Sequence, residues 1–119
     1  MLAEAQRCHP HEACGILLGD GSTITQARAT ANRAADQATR FEIDAAALIA
    51  AHRAARAGGP QVMGYFHAHP HGLPCPSPTD AAAAARDGRI WAIVAGAVIG
   101  WWRDGESGFE PLSTRVVDG

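Results

Sequence analysis

Lysine is absent from this sequence of 119 residues: all ten basic residues are arginine, set against twelve acidic ones for a formal charge of -2. The missing basic excess, with a pI near 6.3, excludes the electrostatic footprint of a nucleic-acid-binding protein. The arginine bias and the abundance of alanine carry no functional weight. Long hydrophobic runs are also lacking. Stretches such as Ile90 to Ala95 and Ala97 to Ile99 fall far short of the roughly 20 residues that cross a bilayer. Met1 to Pro10 holds no signal-peptide hydrophobic region, so the expected location is cytoplasmic. Cysteine is scarce and irregular, with Cys8, Cys14 and Cys75 forming neither a disulfide framework nor a CxxC pair; a reducing compartment suits them. The length leaves no room for a second folded domain. With 47% hydrophobic and 18% charged residues and a mean hydropathy of -0.08, long disorder is excluded as well.

What is present reads as an α+β domain. Helical spacing runs over Leu2 to Cys8. Glu12 to Gly19 reads as a buried strand, and the turn at Gly19-Asp20-Gly21 leads to a hairpin partner over Ser22 to Thr30. Asp44 is placed to cap an alanine-rich helix with Ala45, Leu48, Ile49 and Ala55 on one stripe, stopped by Gly58-Gly59-Pro60. Gln61 to His69 is apolar and aromatic enough for a strand. Pro70, Pro74, Pro76 and Pro78 then force a loop. Ser77-Pro78-Thr79-Asp80 has the form of a helix start, with serine as N-cap, proline at N1 and an acid at N3, and that helix is expected to stop near Asp87-Gly88. Arg89 to Ala95, Val98 to Arg103 and Phe109 to Val117 complete the chain as strands.

The chemistry concentrates after the third of these strands. Residues two apart in a strand share a face, so His67 and His69 point their imidazoles toward one centre. Asp80 is a suitable third ligand, because the proline-stiffened loop returns the chain to a helix N-terminus facing the strand's end. Two neutral imidazoles and one carboxylate suit a tetrahedral zinc site with its fourth position left for water, the form of catalytic zinc sites. Hydrolysis then wants a carboxylate outside the ligand set to move the proton, and Glu12 is the choice for that role.

The motif His67-x-His69-Pro70, six further residues, Ser77-x-x-Asp80, with Glu12-x-Cys14-Gly15-x-Leu17-x-Gly19 upstream, resembles that of the JAMM (MPN+) metalloprotease family. Asn32, Phe41, Gly64-Tyr65-Phe66 and Trp101-Trp102 extend the resemblance from about residue 5 to about residue 112. It implies a zinc-dependent peptidase or isopeptidase of the compact prokaryotic kind, with His67, His69 and Asp80 as zinc ligands and Glu12 as general acid/base. Ser77 is implied to hydrogen-bond the metal's water or to hold the oxyanion. The implied fold is a curved, largely antiparallel or mixed sheet with a helix on each side. The implied partner is a ubiquitin-like sulfur-carrier protein with a C-terminal Gly-Gly tail, cleaved after its glycines. The single domain spans 1–119 and is expected to lack the family's first strand, which leaves a sheet edge near Leu2 on which a homodimer is conceivable.

Two alternatives belong to other classes: a non-catalytic MPN-type scaffold that binds a partner without metal, and a small-molecule zinc amidohydrolase. Ser77 and Asp80 also make a capping box in their own right. His9, His11 and His71 read first as surface residues, His52 as a helix-face residue without a site role, Cys75 as an exposed loop thiol and Cys14 as a small core residue. Trp101 and Trp102, being adjacent, face opposite sides of their strand, and an exposed one would mark a partner or dimer surface.

Overall fold

A computed structural model describes residues 1–114. The elements run α1 (Leu2–Cys8), β1 (Cys14–Gly19), β2 (Ile24–Thr30), α2 (Ala45–Arg56), β3 (Gln61–Ala68), α3 (Pro78–Ala83), β4 (Ile90–Ala95), β5 (Val98–Gly105) and β6 (Gly108–Pro111). They build one mixed six-stranded sheet in the order β2-β1-β3-β4-β5-β6. Every neighbouring pair is antiparallel except β3 and β4. The parallel pair is the one whose connection carries the proline loop and α3, as a crossover requires.

Side chains alternate across this sheet and divide the core between two layers. Ile16 and Leu18 pack with Ala51 of α2, joined by Ile43, Leu48 and Val62. On the opposite face Leu17, Phe66 and Ala92 meet Met1, Ile24, Ile99 and Trp101, and Ala13, Ala68 and Val94 meet Ala5 and Cys8 of α1. All six residues of β1 are buried, because both faces of that strand are covered; this is why EACGILLG reads as a continuous apolar run.

Backbones approach so closely between β3 and β4 that a side chain at Gly64 would collide with the main chain of Ile90. Gly64→Ala is therefore expected to destabilise the protein by about 3 kcal/mol, since overpacking against backbone cannot be relieved by a rotamer change. Urea unfolding checks this; a midpoint equal to that of the parent chain would show that the strands separate freely.

Several expected boundaries move. The turn before β2 is longer than expected because the Asp20 carboxylate accepts bonds from Ser22 N at 2.9 Å and Thr23 N at 2.8 Å, which hold those residues out of the ladder. In α2 the stripe is rotated: Ala45 and Ile49 are exposed, and Ala51 is the buried residue. α3 ends at Ala83, short of Asp87. Ala84 is extended, Arg86 takes a positive φ of 55°, and Arg86 N and Gly88 N are drawn to the side chain and carbonyl of Asp104 at 3.0 and 2.8 Å. The end of β5 thus takes over backbone groups the helix would have used. β6 closes at Pro111; residues 115–117, the end of the expected strand, lie outside the described residues. Trp101 and Trp102 do face opposite ways, but both are half-buried, so neither marks an exposed surface. Cys14 is buried and Cys75 exposed, and the three thiols are free, as expected. No helix among the described residues is long and apolar enough to cross a membrane.

Candidate metal centre

The antiparallel register of β1 and β3 pairs Cys14 with His67, and Ala68 N donates to Ala13 O at 2.9 Å. Continuing that register sets Glu12 opposite His69, with His67 on the same face of the sheet. One antiparallel pair therefore delivers three of the five residues singled out in the sequence. The other two arrive with α3. Ser77 Oγ accepts from Asp80 N at 3.0 Å and the Asp80 carboxylate accepts from Ser77 N at 2.9 Å, the reciprocal capping box. The box fixes the rotamer of Asp80, whose carboxylate is buried beneath the two imidazoles.

His67 Nε2 lies 3.2 Å from His69 Nε2 and 3.1 Å from the Asp80 carboxylate, and His69 Nε2 lies 3.0 Å from Asp80 Oδ2. These three side chains form a group able to hold a metal ion. The capping box and a place in this cluster thus coexist on one carboxylate.

The donor set fits a divalent metal on its own chemistry. His69 Nδ1 is 2.9 Å from the carbonyl oxygen of Leu73, which can only accept, so Nδ1 carries the proton and Nε2 presents a lone pair to the cluster. Two nitrogen lone pairs and a carboxylate oxygen at these separations repel unless a proton or a cation lies among them. N, N and O donors are those of open zinc sites.

His67 is held by packing. Its ring stacks on Phe41 at 4.3 Å and 15°, and Trp91 stands edge-on to it at 5.5 Å and 90°. Its Nδ1 is buried without a hydrogen-bond partner.

Burial pushes His67 toward the neutral form, the form that ligates metals. The hydrogen bond to Asp80 draws the His69 pKa up. Burial alone would raise the pKa of Asp80, but in the metal-free protein protons shared by the two imidazoles hydrogen-bond to it, outweigh that effect and hold the carboxyl well below its usual range. Glu12 behaves in the opposite way. Burial raises its pKa to about 7, against an opposing pull from His69, and its Oε1 has no hydrogen-bond partner. Its backbone is fixed by Gln37, whose carbonyl accepts from Glu12 N at 2.6 Å, and by Asn32, whose side-chain amide donates to Glu12 O at 3.0 Å. Asn32 also bonds the chain at Ala34, Arg40 and Glu42, so one residue ties the segment before α2 to the start of β1.

A cleft of ≈ 580 Å³ opens beside the cluster, with Glu12, His69, His71, Leu73, Cys75 and Ser77 among its walls. Ser77 is only half-buried there, and capping uses its oxygen as acceptor, which leaves its O–H to donate.

The arrangement also depends on residues that motif spacing did not single out for this purpose. Leu73 contributes through a carbonyl, and Trp102 supports it from β5: its Nε1 donates to Pro74 O at 3.0 Å. Gly100 leaves room for the same carbonyl, since a side chain there would strike Pro74. A backbone acceptor leaves no trace in residue type; the pairing of a tryptophan with a proline-rich loop was the one signal available. Trp102→Phe should weaken metal affinity by about tenfold, the lower end for groups that orient a ligand. Competition against a chromophoric chelator checks this, and an unchanged affinity would show that the loop holds His69 without Trp102.

Comparison with known proteins agrees with this geometry. The profile of the prokaryotic homologs of the JAB domain matches residues 1–105. A desampylase from Haloferax volcanii is 34% identical over 86 residues, which is 71% of this chain and 62% of that protein; the match thus spans less than two thirds of the relative's length. A Desulfitobacterium hafniense protein solved in solution superimposes with a TM-score of 0.81 at 26% identity, covering 94% of this chain and 82% of that one. A Salinibacter ruber protein, also solved in solution, gives 0.68 at 30% identity over 94% and 81%. With its curled mixed sheet, its three helices and its His-His-Asp cluster, the chain belongs to the prokaryotic JAB-domain family.

Proposed function

We propose that this chain is a zinc-dependent isopeptidase that hydrolyses the peptide or isopeptide bond after the C-terminal glycine tail of a ubiquitin-like protein of the sulfur-carrier kind. His67, His69 and Asp80 hold the zinc, Glu12 is the general acid/base and Ser77 a hydrogen-bond donor to the developing oxyanion. The observation that carries this reading is a buried carboxylate with a raised pKa, Glu12, set across the strand pair from a His-His-Asp cluster and opening on the same cleft. The desampylase activity named for the Haloferax relative points the same way.

When bound, zinc supplies Lewis acidity that polarises the scissile carbonyl and acidifies an attacking water. Glu12 takes the proton of that water on its carboxylate and gives it to the departing amine. A pKa near 7 suits both halves of this transfer, since the group is neither too weak a base nor too weak an acid at neutral pH. The O–H of Ser77 donates to the oxygen on which charge develops, a bond that gains strength only as the carbonyl becomes tetrahedral. Leu73 and the capping box keep His69 and Asp80 in one orientation throughout. Glycines in the substrate tail allow its backbone to pass close to the cluster without a Cβ in the way.

The direct test is cleavage of a ubiquitin-like protein fused through its Gly-Gly tail to a reporter. The expected products are a free glycine carboxylate and a new amine, with no cleavage in EDTA and loss of cleavage when the tail is changed to Val-Val. Equal cleavage of both tails, or cleavage that EDTA does not touch, would overturn the assignment.

A further inference from the structure

A second pair of imidazoles stands beside the cluster and takes no part in the chemistry above. His9, just after α1, and His71, in the loop after β3, have ring centroids 5.6 Å apart at an interplanar angle of 79°. His67 and His69, whose Nε2 atoms converge to 3.2 Å, have a similar relation, with centroids 4.9 Å apart at 65°. Edge-to-face rings at this spacing stand close enough for one metal ion to bridge a nitrogen of each. Both residues are exposed, and neither ring hydrogen-bonds to a protein group among the described residues, so both nitrogens of each are available.

The position is specific. His9 lines a recess of ≈ 500 Å³ with His11, His69 and Pro70, while His71 lines the cleft that holds Glu12 and Ser77. The two rings meet where these hollows adjoin, at the side of His69.

We propose that His9 and His71 form a second, weaker site for a borderline divalent transition-metal ion, with water completing its coordination. Imidazole pairs select such ions over magnesium or calcium. Lacking a carboxylate, this site is weaker than the His-His-Asp cluster. An ion held there ties the end of α1 to the loop that frames the cleft.

Calorimetric titration of the full chain with zinc tests this. The expected result is a tight event followed by a weaker one, with the weaker event lost in His9→Ala and in His71→Ala and the tight event kept in both. Both side chains are exposed, so the variants should fold, which circular dichroism verifies. A parent chain that shows the tight event alone, or a weak event that persists in either variant, overturns the site. Loss of the tight event with the weak one intact would count against zinc at His67, His69 and Asp80 and leave the second site standing.

Discussion

Replacing Glu12 by glutamine is expected to abolish hydrolysis while leaving the metal in place. The amide keeps the size of the side chain but can neither accept the water's proton nor return it, and losing a positioned general base costs about 10²- to 10⁴-fold. Single-turnover cleavage of a Gly-Gly fusion, measured beside metal content, separates this role from ligation. Equal loss of zinc and activity would make Glu12 a ligand. The same variant has a second consequence for the metal-stripped protein. The Glu12 pKa is raised to about 7 in the fold from an ordinary 4.5, so the folded state holds a proton that the unfolded chain releases. Below about pH 4.5 both states are protonated and there is no cost; between there and pH 7 the cost grows, and above pH 7 it is complete. Glu12→Gln should therefore be more stable than the parent in EDTA at pH 8, by roughly 1–3 kcal/mol, and indistinguishable from it near pH 4. Parallel unfolding curves at both pH values would refute the buried, strained state of this carboxylate.

Asp80→Ala carries the other large effect, because that carboxylate joins three tasks. It accepts from Ser77 N as half of the capping box, it faces both imidazoles, and it supplies the anionic donor of the cluster. Removing it should lower metal affinity by more than about 100-fold, beyond the range for groups that merely orient a ligand, and take activity with it. Stability of the stripped protein should fall by about 2 kcal/mol, from the lost cap and from His67 left buried without its partner. Asp80→Asn distinguishes the contributions. It can still accept from Ser77 N and should recover much of the stability, but not the metal. Full metal binding by Asp80→Asn would mean that the carboxylate serves only the helix.

The sequence carried much of this site because its chemistry sits where local rules are strong. An H-x-H pair on one strand face needs only the two-residue period, and Ser77-Pro78-Thr79-Asp80 announces its own helix start. β1 was legible as a continuous apolar run. Less legible were features set by distant contacts. The end of α3 depends on Asp104, some 20 residues away, capturing Arg86 and Gly88 backbone; no local signal before Gly88 competes with a run of alanines. The buried stripe of α2 depends on where β1 and β3 place Ile16, Leu18 and Val62, and in an alanine-rich helix several stripes are nearly equivalent. The orientation of His69 rests on a carbonyl, and the burial that raises Glu12 arises only when Asn32 and Gln37 close over its strand. Spacing found the side chains that the fold brings together; their electrostatics needed the fold.

Zinc at His67, His69 and Asp80 is the claim on which the rest depends. Metal content of the purified, untagged protein, measured by mass spectrometry after dialysis for the parent chain and for His67→Ala, tests it most directly. The account predicts about one zinc per chain in the parent and none in the variant. No zinc in either, even after reconstitution, would contradict it and leave a partner-binding scaffold as the reading, and zinc retained in His67→Ala would place the metal elsewhere.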